Sequence, residues 1–348
     1  MNTFTFIGKI HKPSNKSNII KTTSTGKKYL RLLIQQNENN SAYVQLYCDN
    51  LINGCIPVFV AGETGRKLIK FEDRFNGNIL QKISYASKYV IFGSNSDKRE
   101  YIWKDDFIEA IYELIMSKPD NTIYEITGEF SISYVNGKLY NNFNIKTFKI
   151  DNSLRPELKL KLELFYNNES LDESDKRNKF LINAFLDQYN YSTRQREYFP
   201  IQVQFVTNRF DFKNPAEVDI IKHRKANLNP SKEEGYVKAI WEAQYVRGAQ
   251  LILPPLETLP KDIQFEIQNA GRDIKEYMSN IVGEASEFIC LTRPDNTLNK
   301  EGRVYIPLKC TENEFKSKIN HYTIQNENTI DSIAKKDAIE NPFNYRKN

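Results

Sequence analysis

Hydrophobic and polar residues alternate along several short segments near the start of the chain. In KYLRLLIQ, Leu30, Leu32 and Ile34 share one face and the intervening side chains share the other. A period of two residues is typical of a half-buried β-strand. Strand-like segments stand on either side of it, FTFIGKI (4–10) and AYVQLYC (42–48). This pattern predicts three antiparallel strands with one covered face.

A similar arrangement recurs further along the chain. The segment GKKY (26–29) aligns with GKLY (137–140), and large apolar residues follow both at the same spacing. Each copy comes after a strand-like segment with a glycine near its end, Gly8 in the first and Gly128 in the second. A lone glycine inside a strand indicates a bulge or a sharp bend. The alternating segment ELKLKLELFY (157–166) offers a third strand to the second copy, so the repeat predicts two related β-modules.

Three helices are predicted between and after these strands. One covers 105–116 with an aspartate cap, a second runs from near Ser174 to Tyr189, and a third follows Pro260. The apolar stripe of the first helix consists of Phe107, Ile108, Ile111, Leu114 and Ile115. Strand patterns return at YFPIQVQFV and YVKAIWEAQYV, and a long polar loop is expected over 206–235, including KHRK (222–225).

These elements together predict a β-rich α+β chain of two small antiparallel barrels with inserted helices and a C-terminal tail. The expected domains are a first barrel with a closing helix (1–121) and a second barrel with helical insertions (122–310). Residues 311–348 carry few apolar side chains and balanced charge, which favours a flexible tail.

Composition places the chain among ordinary globular proteins, with 348 residues, 40% hydrophobic and 27% charged. No apolar stretch approaches the roughly 18 residues of a membrane span, and no secretion signal is evident, so we expect a cytoplasmic protein, in the host cell if it is viral. The four cysteines lack a CxxC spacing and the three histidines are scattered. We therefore expect buried free thiols and neither a metal nor another cofactor.

Positive charge is concentrated in the first half of the chain. Residues 1–150 contain 20 Lys and Arg against 14 Asp and Glu, a net charge of +6, whereas the remainder has 29 against 30, a net charge of −1. A local excess of this kind attracts polyanions such as nucleic acids.

Aromatic and cationic residues stand together on the polar face of the first module. Alternation directs Tyr29 and Arg31 outward on one predicted strand, and Tyr43 and Tyr47 outward on the next. Flat rings among fixed positive charges form a surface on which unpaired bases can stack. The alternative is that these tyrosines are covered by a loop, a helix or a partner subunit, because aromatic residues are favoured on any half-buried strand.

The two GKxY hairpins, each preceded by a glycine-bent strand and followed by a third strand, resemble tandem OB folds. The layout is similar to that of the single-stranded DNA-binding proteins encoded by bacteriophages. The resemblance implies a non-catalytic protein that binds single-stranded DNA in replication or recombination, with replication or recombination proteins as further partners. In OB folds the second and third strands and the loop between strands one and two form the usual binding face. Carried over to this sequence, that face comprises Lys12, Lys16, Lys21, Lys27, Lys28, Tyr29, Arg31, Tyr43 and Tyr47, with Lys138, Tyr140, Lys146, Lys159 and Lys161 in the second module.

Other functions remain open at this stage. A β-rich adaptor or assembly protein would also expose tyrosine and arginine, and an RNA-binding or transcription-associated OB protein would use the same surface. Asp151 with Glu157 and Lys159 mimics the acid and lysine grouping of some metal-dependent nucleases. A phosphate-binding loop at Gly26 is excluded, because Lys28 stands where that motif requires Ser or Thr.

Overall fold

The structure is a computed structural model of the whole chain. It describes the following ranges: 2–23, 26–38, 40–93, 97–135, 138–172, 179–190, 193–206, 230–247, 287–294 and 305–320. Two predicted features lie outside the described residues, the helix after Pro260 and the KHRK segment at 222–225.

The first 47 residues contain four strands, β1 (Thr3–Ile10), β2 (Ile20–Thr22), β3 (Lys28–Asn37) and β4 (Asn40–Tyr47). The alternation predicts β1, β3 and β4 but not the short β2. Leu30, Leu32 and Ile34 are fully buried. The predicted strands and the predicted inward face are confirmed here.

An insert and a helix follow β4. The insert comprises β5 (Cys55–Phe59), β6 (Arg66–Lys70) and α1 (Gly77–Lys82), and leads into β7 (Tyr89–Phe92), β8 (Lys98–Tyr101) and α2 (Lys104–Ser117). Helix α2 buries the predicted stripe, but it begins after Trp103 without a side-chain cap. The expected aspartate cap is therefore wrong, and Asp105 and Asp106 lie in the first turn instead.

Two long strands, β9 (Ile123–Val135) and β10 (Lys138–Ile150), complete the N-terminal barrel. Its strands pair in a closed circuit: β1 with β3, β3 with β4, β4 with β10, β10 with β9, and β9 with β1. All of these pairings are antiparallel except the parallel contact of β4 with β10. This is the Greek-key closure of an OB-like barrel.

The remaining strands form a second circuit with the same order, the C-terminal barrel. They are β11 (Glu157–Tyr166), β12 (Leu171–Asp172), β13 (Lys179–Asn190), β14 (Gln195–Val206), β15 (Val237–Arg247), β16 (Glu287–Pro294) and β17 (Tyr305–Pro307). The circuit runs β11, β13, β14, β16, β15 and back to β11, and the β14–β16 contact is again parallel. The β-rich α+β class with OB-like barrels is confirmed.

The order of strands corrects two sequence predictions. Strands β9 and β10, expected to open a second module at residue 122, close the N-terminal barrel, and the second circuit starts only at β11. The helix expected over 174–189 is wrong, since residues 179–190 form β13 and pair along β14. Apolar residues in that segment satisfy both a helical and an alternating period, and the partner strand decides between them.

Beyond β17, helix α3 (Glu312–Ser317) packs against the C-terminal barrel. Phe315 is fully buried between Tyr236 and Tyr198, with ring centroids 3.7 Å and 4.3 Å away. Tyr198 also exchanges backbone hydrogen bonds with Lys318 and Asn320. The flexible tail expected from residue 311 therefore starts with folded structure, and 321–348 lie outside the described residues.

None of the four cysteines, all within the described chain, forms a disulfide. Cys48 is buried, and burial raises the pKa of its thiol to about 12. Cys310 is exposed. The expectation of buried thiols is thus confirmed for Cys48 and wrong for Cys310.

Glycine permits two close backbone approaches in the N-terminal barrel. A Cβ at Gly8 would stand 2.3 Å from the carbonyl oxygen of Gln35, and one at Gly128 would stand 2.0 Å from that of Asn144. The sequence predicts a bulge or a bend at each glycine, and the structure shows a close approach of a neighbouring strand at each. Gly128, however, belongs to β9 of the first barrel and faces the bulge in β10 after Ile145.

Gly128→Ala is expected to lower the free energy of unfolding by about 1–3 kcal/mol, because the new methyl group must displace the backbone of β10. Urea denaturation followed by tryptophan fluorescence measures the loss. Gly77→Ala is the matched control, since nothing lies within 4 Å of a Cβ there. Equal midpoints for Gly128→Ala and the parent protein would contradict the close approach.

Phe315→Ala is expected to lower the free energy of unfolding by about 3–5 kcal/mol, the usual range for a buried phenylalanine. The same urea titration measures this loss in the free energy of unfolding. Phe75→Ala is the control, because Phe75 is 56% exposed. A loss for Phe315→Ala no larger than that for Phe75→Ala would show that α3 does not contribute to the folded barrel.

Candidate nucleic-acid interface

The outer surface of β2, β3 and β4 carries one transverse row of side chains. Lys21 lies opposite Tyr29, and Tyr29 lies opposite Tyr47. The two tyrosine rings stack with centroids 5.0 Å apart and planes 17° from parallel. Tyr47 is 42% exposed, so the outer side of the stack is open to solvent.

A second aromatic residue on this surface, Tyr43, is contacted by two arginines. The guanidinium carbon of Arg31 lies 4.0 Å from the Tyr43 ring centroid and that of Arg247 lies 4.8 Å away. Arg247 is held in place by Asn40, which accepts a hydrogen bond from its backbone N–H at 3.0 Å. Asn40 also donates to the carbonyl of Tyr245, so this buried amide fixes the end of β15 beside Tyr43.

Strand β10 extends the same surface beyond β4. Tyr140 is 47% exposed on β10. Gln45 donates a hydrogen bond of 3.1 Å to Asn142 across the β4–β10 contact. We call the whole surface the tyrosine platform, and its members are Lys21, Tyr29, Arg31, Tyr43, Tyr47, Tyr140 and Arg247.

Two of the predicted binding lysines are turned away from the platform. Lys28 lies two residues before Leu30 on β3, so its side chain points to the same, covered side of the strand. There its ammonium pairs with the carboxylates of Asp105 at 2.5 Å and Glu109 at 3.0 Å. Lys16 also pairs with Glu109, at 2.5 Å. These ion pairs attach the β1–β3 region to α2.

The ion pairs shift the pKa values of both partners. Burial opposes ionisation of Lys28, but hydrogen bonds from its ammonium to Asp105 and Glu109 outweigh burial and raise its pKa. Burial likewise acts to raise the pKa of Glu109, but hydrogen bonds from Lys16 and Lys28 hold it below the usual range. The site is therefore a structural ion-pair cluster at neutral pH.

The remaining predicted residues of the first module are spread out. Lys27 is exposed at the turn that precedes β3. The Lys12 ammonium lies 3.7 Å from the Asp120 carboxylate, at the end of the barrel away from Tyr29 and Tyr47. Lys138 is expected on the second module, but it begins β10 of the N-terminal barrel, where its backbone lies opposite Val135.

The residues expected on a second module do not form a second face. The Lys146 ammonium donates to the carbonyl of Ala86 at 2.8 Å, and burial lowers its pKa. Lys159 pairs with Glu157 at 3.0 Å on β11. Lys161 lies on the same strand, between Thr3 of β1 and Glu242 of β15.

The corresponding outer face of the C-terminal barrel is covered. Phe165, Phe185 and Tyr198 point outward from its first three main strands, and Phe315 of α3 packs onto them. The platform therefore lies on the N-terminal barrel, and Arg247 is its one member from the C-terminal barrel.

Asp151, Glu157 and Lys159, which mimic a nuclease motif in the sequence, instead form ion pairs and hydrogen bonds with residues near them in the chain. Lys149 and Ser153 hydrogen-bond to Asp151 and lower its pKa to about 2. Among the described residues, no group of three or more His, Cys, Asp or Glu side chains could hold a metal ion. Within the same residues, no helix is long and apolar enough to span a bilayer.

Sequence reasoning missed Arg247, Asn40 and Asn142. Arg247 ends a strand that is far from Tyr43 along the chain. The two hydrogen bonds that bring them together, one donated and one accepted by Asn40, join residues 205 and 207 positions apart in the sequence. No local pattern contains this signal. The buried asparagine in the β3–β4 turn is the one feature that could have drawn attention to it.

No protein-family model and no curated protein matches the sequence. Among solved structures, a deletion mutant of the single-stranded DNA binding protein from Thermus aquaticus aligns over 86% of this chain and 96% of its own, with a TM-score of 0.36 and 9% sequence identity. The wild-type protein from that organism aligns over 70% of this chain and 85% of its own, with a TM-score of 0.31 and 9% identity. Likeness at this level carries no argument about what this chain binds.

Glu109→Gln is expected to cost about 0.5–1 kcal/mol of stability at pH 7, a value kept small because the ion pairs are about one-third exposed. A carboxylate with a lowered folded-state pKa stabilises the protein above its unfolded pKa of about 4.3 and loses that contribution as the pH falls through the folded value. Urea midpoints of variant and parent should therefore converge as the pH drops below about 4. A difference that stays constant at acid pH would contradict the ion-pair assignment, and Glu113→Gln on the same helix is the control.

Proposed function

We propose that this protein binds single-stranded DNA on the tyrosine platform. The observation that carries the proposal is the Tyr29–Tyr47 stack, in which the Tyr47 ring is exposed, with Lys21 in register beside it. An unpaired base that stacks on an aromatic ring contributes about 1–3 kcal/mol, and neighbouring cations hold the phosphates. A duplex hides its base faces, so this arrangement favours a single strand.

Arg31 and Arg247 add a second stacking position. A guanidinium over Tyr43 offers its own flat face and a fixed charge beside the ring. Rings and cations therefore lie side by side on the platform, with Lys21 beside the Tyr29–Tyr47 stack and two arginines at Tyr43. This mixture suits a polymer that carries both bases and phosphates.

The two circuits of equal strand order support a tandem OB architecture, in which the first barrel binds and the second supports it. We infer a non-catalytic role in replication or recombination, of the kind that bacteriophage-encoded single-stranded DNA-binding proteins perform. Replication or recombination enzymes are the partners that this role implies.

Fluorescence anisotropy with labelled oligo-dT and a matched duplex tests the proposal. The protein is expected to prefer the single strand, and Tyr47→Ala is expected to weaken binding about 5- to 100-fold, since a lost base stack is worth about 1–3 kcal/mol. Tyr189→Ala is the matched control, because Tyr189 is 44% exposed on the C-terminal barrel.

Salt dependence separates DNA from a protein ligand. For a single strand the logarithm of the binding constant should fall with the logarithm of salt by about 0.7 per neutralised phosphate, and Lys21→Ala should reduce that slope by about that amount. Equal affinity for duplex and single strand, or no binding at low salt, would refute the proposal. Tighter binding to an oligo-rU of equal length would instead favour RNA.

A further inference from the structure

The β5–β6 hairpin has two unlike faces. Ile56 and Val58 point inward and form a small core with Ile83 and Ile102. On the opposite face of the hairpin, Phe59 lies opposite Arg66, and Pro57 lies opposite Leu68. Packing in this small core explains the apolar residues of the inner face, but it does not involve Phe59, Pro57 or Leu68 of the outer face.

The outer face exposes apolar residues among cations. Phe59 is 39% exposed, Leu68 is 50% exposed, and the nearby Tyr85 is 60% exposed. The guanidinium carbon of Arg66 lies 5.3 Å from the Phe59 ring centroid, and Lys70 is exposed on the same face. Exposed apolar residues gathered in one place on a protein surface commonly mark a binding site. We call Phe59, Arg66, Leu68, Lys70 and Tyr85 the insert patch.

Strand β10 links the tyrosine platform to the insert patch. Asn144 of β10 lies opposite Gln45 of β4 in a parallel pairing, and β10 then passes through a bulge to Lys146. The ammonium of Lys146 donates to the carbonyl of Ala86, the residue after Tyr85. A series of contacts therefore runs from β4 to β10, and from Lys146 of β10 to the turn that carries Tyr85.

Backbone contacts then join Tyr85 to the hairpin. Ser87 accepts a hydrogen bond of 2.8 Å from the N–H of Phe59, and the N–H of Ser84 donates to the carbonyl of Phe59 at 2.8 Å. The turn that carries Tyr85 is thus fixed against the strand that carries Phe59. Lys146 is itself fixed by Ala86 and by the ring of Tyr89, 4.7 Å away, so it connects the two surfaces.

We propose that the insert patch is a second stacking site on which the same DNA strand continues after it leaves the N-terminal barrel. This inference rests on the proposed function and extends it. Two exposed rings with Arg66 and Lys70 beside them provide the stacking and phosphate contacts that a single strand needs. Continuity with the platform and the shared positive charge favour a nucleic acid over a protein at this position.

The test is the dependence of affinity on oligonucleotide length. Oligo-dT from about 4 to about 20 nucleotides brackets the site sizes known for one OB fold and beyond. For the variant Phe59→Ala with Tyr85→Ala, we expect unchanged affinity for the shortest strand that binds. Long strands should bind about 10-fold or more weakly, and the plateau of affinity should come at a shorter length.

Controls separate this inference from the proposed function. Phe75→Ala removes an exposed aromatic of the same insert that is held against Arg74, and it should leave every length unaffected. Tyr47→Ala should weaken all lengths. Binding of short strands by the parent protein would support the platform. If the double variant Phe59→Ala with Tyr85→Ala then bound long strands as tightly as the parent protein does, the insert patch would not be part of the DNA path.

Photo-crosslinking gives a second, independent measurement. Oligonucleotides with one bromodeoxyuridine should crosslink to Tyr85 or Phe59 when the label lies toward one end of a long strand, and to Tyr47 when it lies elsewhere. Crosslinks to Tyr47 alone from every label position would overturn the proposal. Thermal melting of each variant monitors folding, so a loss at all lengths with a lowered melting temperature would also count against it.

Discussion

The pairing of β1 with three partner strands is the constraint on which the whole molecule depends. Residues 3–7 lie between β9 and β11, and Lys9 and Ile10 then pair with β3. Gly8 permits this change of partner, because any side chain there would meet the backbone of Gln35. One short strand thereby closes the first barrel and attaches the second, and the two share one continuous core.

Local patterns in the sequence predicted what local physics controls. The alternation at Leu30, Leu32 and Ile34 gave the strand and its buried face, and the same parity brought Tyr29 and Arg31 to the surface. Lys28, which the resemblance to OB proteins assigned to binding, instead points to the same side of β3 as Leu30. The structure shows that its partner is the acidic first half of α2.

The pairing of strands that are distant in the sequence could not be predicted from local patterns. The hairpin of β9 and β10 carries the same GKxY pattern whether it opens a new barrel or completes an old one, and only its partners β1 and β4 distinguish the two. For the same reason the sequence pattern predicts the start of the second module one hairpin too early, at β9 instead of β11. The two circuits have the same strand order, so that β1, β3, β4, β9 and β10 correspond to β11, β13, β14, β15 and β16, but their sequences share no obvious motif.

The contact between β4 and β10 is much narrower than its neighbours, with Asn144 opposite Gln45 as its one registered pair. This seam runs through the middle of the tyrosine platform, with Tyr43 on one side and Tyr140 on the other. A thinly paired seam opens more readily than the core strands around it. A polymer that touches both sides would brace it, so occupancy would slow amide hydrogen exchange in β10 at positions that the ligand never contacts.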